Sequence, residues 1–175
     1  VHKYLDIKEN ISIYITYHPT ETINGTPLPE CLWIKITEQA KDIFFLVDHW
    51  KNAIMLWPVT DNLYKIYFIY KRKSILCLSP NIKFNILDAT HKANQWAFEN
   101  MQLKNASILY ACEHNTATQN QVDFMYDLYG FKKETDLNPA AVCIQIDALL
   151  FEKQWNRIKE KVLPHPDLID NIGNY

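Results

Sequence analysis

Four short apolar runs crowd into residues 43–78, and they constrain the fold more than any other feature. Positions 43–47, 53–59, 64–70 and 74–78 are rich in Ile, Phe, Val, Trp and Tyr. Polar turns divide them: Asp48-His49-Trp50-Lys51-Asn52, Thr60-Asp61-Asn62 and Lys71-Arg72-Lys73. Each run is too short for a stable helix, and β-branched and aromatic residues favour strands. That spacing predicts an antiparallel meander of three or four strands. An earlier strand is expected over 11–17, where Ile11, Ile13 and Ile15 alternate with Ser12, Tyr14 and Thr16.

Helices are expected to cover this sheet. Ser79-Pro80 follows the last run, an N-cap followed by a residue suited to the first helical position. Ile82, Ile86, Ala89, Ala93, Trp96 and Ala97 then recur at helical spacing, predicting a long helix over 80–102. A buried strand over 107–112 and a second helix over 119–129 follow, the helix closed by Gly130 with Phe131 beyond it. Strands are expected near 132–135 and 141–146. Phe151, Trp155, Ile158 and Val162 mark a last amphipathic helix, stopped by Pro164. Residues 18–29, with Asn24-Gly25 followed by two prolines, read as loop, and 30–41 leans to a short helix over a strand. The expected fold class is α/β, with a mainly antiparallel central sheet, flanking helices and an added C-terminal helix. The expected organisation is one domain over 1–163 and a tail over 164–175.

The 175 residues suffice for one domain with a real core, and 48% apolar against 22% charged is a globular profile. A net charge of -2 gives no general pull toward nucleic acid or an anionic membrane. Cys31, Cys77, Cys112 and Cys143 show no paired spacing and fit a reducing interior. No signal peptide or membrane span is visible, so the expected location is the cytoplasm or a virion. Enrichment in Asn, Lys, Ile and Tyr hints at an AT-rich coding genome.

With Asn120, Tyr126 and Gly130-Phe131 placed after a buried strand and a long helix, residues 43–147 resemble the GNAT N-acyltransferase superfamily. The resemblance implies Tyr126 as general acid for a departing thiolate and Asn120 on the pantetheine of acetyl-coenzyme A. Glu113 and His114, just past the strand over 107–112, stand where a base for the amine would lie. The bland alternatives are a helix tyrosine packed near its glycine cap and polar residues at a strand end. The family's pyrophosphate loop, Arg/Gln-x-x-Gly-x-Gly/Ala, falls on Asn81, Ile82 and Lys83 here. No glycine stands there, although backbone N–H groups must approach phosphate closely. The chain has three glycines in all, Gly25, Gly130 and Gly173. Small virion proteins of short-tailed bacteriophages are similar, keeping the order of elements without that loop. The favoured expectation is therefore a GNAT-like, non-enzymatic binding or structural component of a phage particle. It would have protein partners, no cofactor, no membrane and no nucleic acid. The alternative is an atypical N-acyltransferase using acetyl-coenzyme A. Cys112, Glu113 and His114, with Cys77, are too few and too scattered for a zinc site. No local cysteine-nucleophile signature accompanies them. Trp96 and Trp155 read as core, while Trp50 sits in a turn.

Overall fold

The computed structural model describes residues 2–16, 22–23, 26–27, 31–48, 52–60, 62–71, 73–101, 123 and 139–162. Nine strands and two helices lie within them: β1 His2–Lys8, β2 Ile11–Thr16, β3 Thr22–Ile23, β4 Thr26–Pro27, β5 Cys31–Glu38, β6 Lys41–Asp48, β7 Asn52–Thr60, β8 Leu63–Tyr70, β9 Ser74–Cys77, α1 Ile86–Asn100 and α2 Pro139–Val162. Seven strands make one sheet in the order β1-β2-β5-β6-β7-β8-β9, every pair antiparallel. Strands β3 and β4 pair antiparallel as a separate small two-stranded sheet.

The sheet is apolar on both faces, and a helix covers each. Alternation along the strands sends Ile13, Ile34, Phe45, Met55 and Tyr67 to one face, where α2 supplies Ile144, Ala148, Phe151, Trp155 and Ile158. Their neighbours Trp33, Phe44, Leu46, Ile54 and Leu56 face α1, which contributes Ala89, Ala93 and Ala97. These alanines let α1 lie close to the sheet. Thr16 and Asn94 are polar side chains buried at this seam. Trp33 Nε1 and Asn94 Nδ2 both donate to Thr16 Oγ1, at 3.2 and 3.1 Å, which ties α1 to β2 and β5. Asn94 Oδ1 is buried with no hydrogen-bond partner among the described residues.

The strands over 11–17 and 43–78 stand where the sequence places them, and the mixed α/β class holds. Five expectations need correction. Residues 18–29 are not all loop, since Thr22–Ile23 and Thr26–Pro27 pair as strands within them. Residues 31–38 form β5, not a helix, because β5 joins β6 through Gln39 and Ala40, both at positive φ (50° and 62°). That is the φ pattern of a two-residue type I′ turn. Glu38-Gln39-Ala40-Lys41 has helical propensity, but the turn lets Leu32, Ile34 and Ile36 reach the core. Residues 141–146 are helical, not a strand: α2 runs unbroken for 24 residues from Pro139. The helix over 80–102 starts only at Ile86, capped by Asn85, whose side chain accepts from Asp88 N–H at 2.8 Å. Strand β1 was not expected, since Lys3, Asp6 and Lys8 break its apolar pattern; it lies at a sheet edge, where charge is normal. The expected strands over 107–112 and near 132–135 fall outside the described residues, as do Gly130 and the tail over 164–175; of the expected helix over 119–129 only Asp123 is described, and it is helical.

Candidate binding site

Between β9 and α1 the chain leaves the ladder and returns to it. Leu78 N–H donates to Ile66 O at 2.8 Å, as a continuing strand would. The ladder then changes hands. Ile66 N–H donates to Ser79 Oγ at 2.9 Å, a side chain standing in for a backbone acceptor. Residues 79–83 swing outward, with Ile82 N–H bonded to Ser79 O at 3.4 Å. Phe84 rejoins β8, exchanging two bonds with Tyr64 at 2.7 and 2.9 Å. Ser79, expected as a helix cap, instead pins this excursion to the sheet.

The excursion walls a groove of about 290 Å³. Ile66 and Leu78 line it from the sheet, Pro80, Ile82 and Phe84 from the loop, and Lys92 and Trp96 from α1. The two helix residues are four apart and so share one face. The lining is largely apolar, and its apolar surface continues outward. Trp96 packs at a tilt against Phe68 with ring centroids 4.6 Å apart, and Phe68 contacts Tyr70 at 6.1 Å. Leu76, paired with Phe68 across the ladder, is 59% exposed, and Ile82 is 56% exposed. Lys92 is exposed and makes no ion pair or hydrogen bond among the described residues.

Of the residues expected to hold a cofactor, Asn81 and Ile82 line the groove, and Lys83 is exposed on the same loop. Asn120, Tyr126, Glu113 and His114 lie outside the described residues. The N-terminus of α1, where a phosphate would be expected, carries Asn85 as its own cap and Asp88 in its first turn. Lys92 and Trp96 went unread as site residues. Trp96 looks like core in sequence, and the Lys92–Trp96 spacing shows a shared face but not that the face stays open.

Groups with displaced proton affinity lie elsewhere. Burial pushes the Cys31 thiol up to about 12, beneath α1. Burial also raises the Tyr64 hydroxyl, with Asp42 and Tyr14 adding to it. The Asp147 carboxyl on α2 is raised to about 6 by burial alone. No group of three or more metal-binding side chains occurs among the described residues, and no helix there is long and apolar enough to cross a membrane.

No family model, curated protein or solved structure matches this chain.

Proposed function

We propose that this domain is a non-enzymatic binding or structural component, with the phage particle implied by its GNAT resemblance as its setting. The observation that carries the reading is the state of the backbone where an acyl-coenzyme A pyrophosphate would have to sit. A phosphate cradle needs free N–H groups at a helix start. Here Ile82 and Phe84 N–H are spent on Ser79 and Tyr64, and Asp88 N–H on Asn85. The Asp88 carboxylate adds a negative charge to the first turn, which opposes a second anion. The residues present therefore do not fit the cofactor's diphosphate. At about 290 Å³ the groove also sits at the lower bound of the roughly 300–1,000 Å³ typical of small-molecule sites. An apolar groove of this size suits an anchoring side chain better than a nucleotide.

Isothermal titration of the full chain with acetyl-coenzyme A tests the reading. The expected result is no saturable binding in the micromolar range. Saturable micromolar binding would overturn it and favour the N-acyltransferase.

A further inference from the structure

We infer that the groove between the 79–83 excursion and α1 is the docking site for a partner polypeptide that inserts an apolar side chain beside a carboxylate. The inference rests on the binding reading above and names the partner's chemistry. Three features of the groove converge on that class. Its volume accommodates an anchor side chain, the kind of buried contact that dominates interface energetics. Its floor is Ile66, Leu78 and Trp96, while the exposed Ile82 and Leu76 extend the apolar surface past its mouth. A small ligand has no need of such a margin, whereas the residues flanking an anchor would cover it.

Charge completes the argument. Lys92 stands at the groove wall with no ion pair among the described residues, and Lys83 is exposed on the facing loop. Asp88 is one turn from Lys92 but does not bridge to it. The unbridged Lys92 ammonium beside an apolar floor is complementary to an acidic residue next to an apolar anchor. Complementarity of this kind contributes partner choice more than affinity. The closed hydrogen bonding of residues 78–84 keeps the wall in place before a partner arrives, which lowers the ordering cost of binding.

Selection of amidated peptides from a random displayed library against the full chain tests this. Enriched peptides should share an apolar residue adjacent to Asp or Glu. In titrations followed by nuclear magnetic resonance they should move the amide signals of residues 79–84 and the Trp96 indole. Lys92→Glu, an exposed change that leaves the fold intact, should weaken them by roughly fivefold or more, because attraction becomes repulsion. Peptides without the acidic neighbour, or peptides that bind Lys92→Glu undiminished, would overturn the inference. So would a chain that self-associates through the groove, shown by sedimentation and abolished by Lys92→Glu. Acetyl-coenzyme A is included as a competitor. Displacement of the peptides by it would defeat the non-enzymatic reading. Failure of the peptides without cofactor binding would defeat this inference alone.

Discussion

Replacing Trp155 probes the contact on which the α2 face of the sheet depends. Trp155 is 1% exposed, its ring centroid lies 4.9 Å from that of Phe45, and Phe45 also meets Phe151 at 4.8 Å. Its indole N–H donates to Glu38 Oε1 at 3.1 Å, an oxygen that Lys159 also holds at 3.1 Å. Trp155→Ala removes a buried aromatic side chain, which costs about 3–5 kcal/mol. The lost hydrogen bond contributes about 1 kcal/mol to such a change, moderated here because Glu38 keeps its lysine partner. Against a total stability of about 5–15 kcal/mol, one substitution consumes about a fifth or more. Trp155→Phe keeps most of the packing and loses the bond, so about 1–2 kcal/mol is expected. The assay is urea denaturation followed by far-ultraviolet circular dichroism. At a slope of about 2 kcal/mol per molar, the alanine midpoint should fall by roughly 2 M. A loss below about 1 kcal/mol for Trp155→Ala would mean that α2 is not seated on the sheet, and the reasoning would fail.

Three further outcomes are expected. Gln39 and Ala40 both hold positive φ without being Asn or Gly. Gln39→Asn combined with Ala40→Gly should therefore raise stability by about 1–2 kcal/mol in the same assay, and a loss would refute the type I′ assignment. The Asp147 carboxyl titrates near 6 when folded against an ordinary value of 3.8. The folded state thus binds more protons between those values, and stability falls as pH rises through that window. Asp147→Asn should flatten this slope and add up to about 3 kcal/mol at neutral pH; an unchanged pH profile would count against it. Asn85→Ala should cost about 1 kcal/mol by thermal or chemical melting, as loss of an N-cap does, and a neutral result would place the start of α1 elsewhere.

The meander was legible because β6, β7 and β8 carry strong apolar runs divided by polar turns. β5 was obscured at one point only, the Gln39-Ala40 turn, where tertiary burial of Leu32, Ile34 and Ile36 overrides local propensity. The first half of α2 was obscured for a different reason. Ala141-Val142-Cys143-Ile144 is uniformly apolar, and such a run has no period to separate strand from helix. Extended forward through Ala148, Phe151, Trp155 and Ile158, the same residues do show the helical period. At the groove, the glycine-free 79–86 segment was singled out as a loop that fails to hold a phosphate. Its use of Ser79 as a ladder acceptor was invisible, because Ser-Pro has a ready local meaning as a helix start. Lys92 gave no sign, since an exposed lysine on a helix is ordinary until the space beside it is seen.

The order of elements along the chain has a consequence during synthesis. Every strand of the large sheet pairs with a strand close to it in sequence, so the sheet can zip up hairpin by hairpin as it leaves the ribosome. Helix α1 follows β9 closely and can cover its face early. Among the described residues, the opposite face, with Ile13, Ile34, Phe45 and Met55, is covered by α2, more than sixty positions after β9. Until α2 is made that apolar face lacks its α2 cover, a nascent-chain intermediate of the kind that chaperones bind and that aggregates when it is crowded. Slow translation between residues 78 and 139 lengthens that interval.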